Sequence, residues 1–102
     1  MLHSSIQPYL PQIIELFKMH KITSAYVYGS VLTEKFNDKS DVDFLVNIQE
    51  NIDPVEAGGH LWDLIFELED LLQRKIDLNT ERSLKNPYFI KELNETKFHI
   101  YG

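Results

Sequence analysis

Tyr28 to Val46 reads YGSVLTEKFNDKSDVDFLV. A Gly29-Ser30 pair closes one short apolar run, a polar loop follows, and Asp41-Val42-Asp43 opens a second apolar run. Residues i and i+2 of a strand point to the same face, so Asp41 and Asp43 lie side by side. Two like charges held that close repel each other unless something positive sits between them. A hard divalent cation is the usual partner; it takes oxygen ligands and keeps other positions for water and substrate phosphates. Gly29 has no Cβ, so the backbone there can approach a bulky anion. Metal carboxylates beside a phosphate-compatible turn point to nucleotide chemistry.

Working outward, Ser24 to Tyr28 reads as a short strand, with Ala25 and Val27 on one face and Tyr26 and Tyr28 on the other. Gly29 ends it, and a short helix can follow. Asn37, Asp38, Lys39 and Ser40 are turn residues. Asp41 to Ile48 is the second strand, with Val42, Phe44 and Val46 on the face opposite the two aspartates. Upstream, Leu10, Ile13, Ile14 and Phe17 recur at helical spacing and predict a helix over Pro8 to His20. Pro8 and Pro11 are tolerated if both lie in its first turn. Downstream, Asp53-Pro54 predicts an N-cap and first helical residue. That helix runs to about Leu72 with Leu61, Ile65, Leu68 and Leu72 as its stripe, and Gly58-Gly59 marks a kink or a later start. Lys75 to Asn79 is a third strand, and Asn86-Pro87 opens a last helix reaching Lys97, anchored by Phe89, Ile90 and Leu93. Strands alternating with helices predict a two-layer α/β arrangement.

The 102 residues suit one domain, 1–102, and 43% hydrophobic content with 12% aromatic is enough for a core. A formal net charge of −6 argues against a general nucleic-acid binder, which needs a basic face. There is no cysteine, so disulfides and thiolate metal sites are excluded. Met1 to Tyr9 has no signal-peptide pattern, and no apolar run is long enough to span a bilayer. The expectation is a soluble, cytoplasmic protein with no membrane association.

Asp77 stands between Ile76 and Leu78, so its side chain leaves the packed face. If the third strand lies beside the second, Asp77 can join Asp41 and Asp43. Three carboxylates suit nucleotidyl transfer: two hold metal ions that clamp the attacking and leaving oxygens, and the third orients or deprotonates the attacking hydroxyl. Ser30 offers its hydroxyl and N–H to terminal phosphates. Taken singly, a D-x-D is usually a solvated strand end, a Gly-Ser a turn, and an aspartate between apolar residues the open side of an edge strand. Their order along the chain is what carries weight. His3, His20, His60 and His99 lack metal-ligand spacing and read as solvated or partly packed. Trp62 and Phe66, at i and i+4, read as core or interface. Lys85, Lys91 and Lys97 read as a solvated helix face.

With these motifs in place, the chain resembles a minimal nucleotidyltransferase of the DNA polymerase β-like superfamily, the type that forms the antitoxin half of HEPN/MNT toxin–antitoxin pairs. The resemblance covers nearly the whole chain. Gly29, Ser30, Asp41 and Asp43 match the family's G-S…D-x-D signature, and Asp77 in KIDL its third acidic position. Ser83 to Leu93 (SLKNPYFIKEL), with Ile100 to Gly102, resembles the final part of these proteins. The resemblance implies a nucleotidyltransferase-like two-layer fold, a small mixed sheet with helices packed on it. It also implies Mg²⁺, with two ions held by Asp41, Asp43 and Asp77, ATP as donor with Gly29 and Ser30 on its phosphates, and transfer of AMP to a partner. In toxin–antitoxin members the acceptor is a tyrosine of a HEPN ribonuclease toxin.

The stretch after Gly-Ser departs from the family, which commonly has x-A-R-G there. Here it is Val31-Leu32-Thr33-Glu34, without arginine or glycine, and Lys35 and Lys39 are the cations nearest in sequence. The short chain also leaves no residues for a second wall over the nucleotide, which favours a protein acceptor that docks on the site. Two other readings stay open here: an antitoxin that neutralises by binding alone, and an enzyme acting on a small hydroxyl compound. Oligomers are compatible with either.

Overall fold

The structure, a computed structural model, describes residues 2–37 and 39–102. Asp38, one of the expected turn residues, therefore lies outside the described residues. The chain runs through α1 (Leu10–Met19), β1 (Ile22–Tyr28), β2 (Val42–Ile48), α2 (Pro54–Leu72), β3 (Ile76–Thr80), α3 (Pro87–Thr96) and β4 (Phe98–Tyr101). One four-stranded mixed sheet has the order β3-β2-β1-β4. β1 is antiparallel to β2 and to β4, and β2 is parallel to β3. The parallel step needs a long crossover, and α2 supplies it.

The two faces of the sheet do different things. Val27, Val42, Phe44 and Val46 bury against Ile13 and Phe17 of α1 and Leu64, Leu68 and Leu72 of α2. Alternation sends Tyr28 and Leu45 to the other face, where Leu93 of α3 covers them. α3 covers only part of that face, and the acidic ends of the strands stay open beside it.

Local chemistry sets most boundaries. The predicted first helix is two pieces, a 3-10 turn over Gln7–Tyr9 and then α1, and each proline sits in the first turn of its own piece. The Asp53 side chain accepts from the Val55 N–H at 2.7 Å, and the Asn86 side chain from those of Tyr88 and Phe89, so both caps work as read. Gln73, at φ +53, ends α2 in the left-handed region and turns the chain into β3.

Four expectations are corrected. α2 is uninterrupted at Gly58-Gly59. Its buried stripe is Leu64, Leu68 and Leu72: the helix is rotated so that Leu64 enters the core, and Leu61 and Ile65 flank it at partial burial. Trp62 and Phe66 stack edge to face but stay 64% and 54% exposed, so they are not core. β4 was not expected. Its FHIY composition suits a strand, but no turn residue separates it from α3, and four residues are too few to show a period.

Gly58 and Gly59 have open space where a Cβ would go. Gly58→Ala and Gly59→Ala should each raise stability in a urea melt by about 0.5–1 kcal/mol, the helix-interior difference between glycine and alanine. A loss of stability in both variants would show that this first part of α2 is not helical in solution.

Candidate functional site

β1 ends at Tyr28, and Gly29 turns the chain with φ +78 into a single 3-10 turn over Gly29–Leu32. The left-handed value favours glycine. A second constraint acts at the same position: a Cβ on Gly29 would lie 2.7 Å from Asp43 Oδ2. The turn is therefore pressed onto an acid. The Ser30 carbonyl accepts from the Thr33 N–H and hydroxyl, each at 2.9 Å, which closes the turn.

The register of the sheet brings the acids together. Asp43 of β2 is paired with Tyr28 of β1 on one side and Asp77 of β3 on the other. Paired residues of neighbouring strands point to the same face, with Cβ atoms about 5 Å apart. Tyr28, Asp43 and Asp77 thus form a row across three strands. Asp41 lies two residues before Asp43, exposed at the edge of the row, and Asp77 is also exposed. Asp43 is half-buried. Burial, then the charges of Asp77 and Asp41, pushes its carboxyl from the usual 3.8 up to about 6. The Tyr28 phenol is also raised, chiefly by burial; Asn79 Nδ2 donates to its oxygen at 3.2 Å and opposes the rise, while Asp43 and Asp77 add to it.

Beside this row is a cleft of about 700 Å³, lined by Tyr28, Gly29, Leu32, Asp43, Phe89 and Leu93 among others. One wall is sheet and the 3-10 turn; the other is α3. Of the three acids of the row, Asp43 lines it, and Glu92 of α3 lines it from the other wall.

Sequence alternation anticipates Asp41, Asp43 and Asp77 on one face. Asn79, two residues beyond Asp77, was missed, although the same alternation applies to it. The cleft residues Leu32 and Phe89 carry no local signal, because α3 meets the turn only in three dimensions. Other expectations change. His20 is buried at the end of α1, with Nδ1 3.0 Å from His60 Nδ1 and Nε2 2.9 Å from Glu67, so this histidine ties α1 to α2. Lys97 lies past α3, over the Tyr26 ring at 4.2 Å and 3.7 Å from Glu81, so it is not part of a solvated helix face.

The model for the polymerase β nucleotidyltransferase family matches residues 11–102. The chain belongs to that family. It is a nucleotidyltransferase. It is 34% identical over 86 residues, 84% of each chain, to "Putative protein adenylyltransferase MJ0126" of Methanocaldococcus jannaschii. Two solved structures share the fold. The first, of a "putative minimal nucleotidyltransferase", superposes with TM-score 0.75 at 23% identity, over 96% of this chain and 95% of that one. The second is the tri-AMPylated Shewanella oneidensis HEPN toxin in complex with MNT antitoxin; one of its chains superposes with TM-score 0.65 at 21% identity, over 94% of this chain and 71% of that one.

Among the described residues no group of three or more His, Cys, Asp or Glu side chains is placed to hold a metal ion. The expected convergence of Asp41, Asp43 and Asp77 is thus a shared face and mutual repulsion, not a preformed three-ligand site. The donor chemistry still fits Mg²⁺, which is bound through one or two carboxylates plus substrate phosphates more often than by an all-protein cage.

The raised carboxyl of Asp43 gives a pH-dependent stability. A raised acid stabilises the fold fully below about pH 4 and loses that contribution as pH rises to about 6. Asn at 43 has no such charge. In chelator, the stability of Asp43→Asn relative to the parent should therefore grow between about pH 4 and 6 and stay level above. A difference that is flat across that window would show that neither burial nor the neighbouring acids raise the Asp43 carboxyl.

Proposed function

We propose that this chain transfers AMP from ATP to a hydroxyl of a partner protein and acts as the antitoxin to a HEPN-type ribonuclease toxin, with a toxin tyrosine as acceptor. In this reading residues 1–102 are one catalytic domain working in the cytoplasm. The observation that carries it is a half-buried Asp43, between Asp41 and Asp77, pressed against the positive-φ turn at Gly29 and facing an open cleft. The protein adenylyltransferase name of the archaeal relative and the AMPylated toxin in the solved complex support the donor and the acceptor.

The roles follow from position. Asp41 and Asp43, with Asp77 beside them, would hold Mg²⁺ together with the substrate phosphates. Bound Mg²⁺ supplies positive charge to the phosphates and relieves the repulsion among the acids. Gly29 lets the turn approach the triphosphate, and Ser30 offers its N–H and hydroxyl there. The acceptor oxygen bonds to the α-phosphorus, the bond from that phosphorus to the β-bridging oxygen breaks, and pyrophosphate leaves. Asp77, exposed at the end of the row, orients the acceptor hydroxyl and takes its proton. The cleft between these two walls is open to solvent, so a docking protein can cover it.

Incubating the cognate toxin with this protein, ATP and Mg²⁺ should add one or more AMP units to the toxin, read by mass. Asp43→Asn should slow that transfer by at least about a hundredfold, as loss of a metal ligand removes several kcal/mol of charge stabilisation. Complex formation should persist, because one cleft residue contributes little to a broad interface. An unmodified toxin with the parent protein, together with full protection of cells by Asp43→Asn, would overturn transfer and leave neutralisation by binding.

A further inference from the structure

The loop from Thr33 to Asp41 contains no arginine, yet one guanidinium serves it. Arg74 lies between the left-handed end of α2 at Gln73 and the first residues of β3. Its Nη1 donates to the carbonyls of Asn37 at 2.9 Å and Ser40 at 3.0 Å. Its plane stacks over the Phe36 ring, 4.4 Å from the centroid. Phe36 is itself 5% exposed and packed in the main core, so the guanidinium rests on a fixed surface. Arg74 Nε is buried and has no partner among the described residues.

The two carbonyls are not arbitrary points on the loop. Ser40 N–H donates to the same Asn37 carbonyl at 3.0 Å, and Asn37 N–H donates to Ser40 Oγ at 3.1 Å. Arg74 thus closes a turn that is already tied between 37 and 40. On the far side of Asp41, the Val42 N–H donates to the Lys75 carbonyl at 3.1 Å. Asp41 is exposed and precedes β2, so the sheet ladder does not hold it. What holds it is a pair of anchors on consecutive residues, Arg74 before it and Lys75 after it.

We propose that Arg74 is a positioning residue: by fixing the Asn37 and Ser40 carbonyls it presents Asp41 beside Asp43 and Asp77. This rests on the reading of those acids as the metal and nucleotide site. Arg74 acts on the loop through Nη1, which donates to both carbonyls. Lysine cannot do the same work. An ammonium lacks the planar face that rests on the Phe36 ring while Nη1 reaches both carbonyls.

The test uses Arg74→Lys and Arg74→Ala in the full chain, with three readouts. In metal-free protein, amide exchange at Ser40 and Val42 should speed up by about tenfold in both variants, while amides of β1 keep parental rates. Calorimetry with ATP should show Mg²⁺-dependent affinity weakened by about tenfold or more, the usual effect of losing a group that orients a metal ligand. AMP transfer to the toxin should fall in kcat more than in KM for ATP. If Arg74→Ala fails to fold, Arg74→Lys carries the test. Parental exchange at Ser40, or parental Mg²⁺-dependent ATP affinity in a folded Arg74→Lys, would overturn the role of Arg74 alone. A parent protein that binds no ATP with Mg²⁺ would overturn the reading of the acids, and this inference with it.

Discussion

Three carboxylates on one face, with one of them half-buried, are the arrangement around which this structure is organised. An isolated strand pair would not hold them there, since like charges at this spacing favour separation. The sheet holds Asp43 and Asp77 because the opposite face of the same strands is dry. Val42 and Phe44 flank Asp43 in sequence and are fully buried on the other side. Rotating Asp43 away would expose both, and burying such side chains is worth about 1.5–3 kcal/mol each. The apolar face therefore holds the acidic face in an arrangement its own charges oppose.

The glycine turn and the mixed topology complete that arrangement. At Gly29 the backbone has a positive φ that favours glycine, and a Cβ there would meet the end of the Asp43 side chain. The parallel β2–β3 pairing puts Asp77 level with Asp43, and only the long crossover through α2 makes that pairing available. One consequence is division of labour among helices: α1 and α2 form the dry side, while α3 belongs to the cleft. Exposed aromatics such as Trp62 and Phe66 lie on the helix side, away from the acids.

Much of this was legible in the sequence, and the reason is periodicity. Period two in Tyr26, Tyr28, Asp41, Asp43 and Asp77 assigns each to a face without any knowledge of partners. Side chains that cap their own helices, Asp53 and Asn86, were equally local. The unread parts depend on contacts distant in sequence. Arg74 meets Asn37 only because α2 brings the chain back across the sheet. Leu64 replaced Ile65 in the core because the rotation of α2 is set by the surface it packs on, which its own stripe does not specify. β4 is visible only once β1 offers it an edge. The family resemblance added activity and partner class, which no periodicity could supply.

β4 also bears on how firmly the cleft is built. It pairs with β1 through Ala25–Tyr101, Tyr26–His99 and Val27–Phe98, partners about 70 residues apart in the chain. It is a four-residue edge strand, and its first two residues are exposed. Short exposed edges open at the low end of the free-energy scale, well before the strands within. Phe98 sits on this strand and also borders the cleft. Fraying of β4 removes that border while β1, β2 and β3 stay paired. Phe98 thus reaches the cleft on an edge pairing separate from the β2–β3 pairing that sets Asp43 level with Asp77, so the border of the opening can shift without moving the register of those acids.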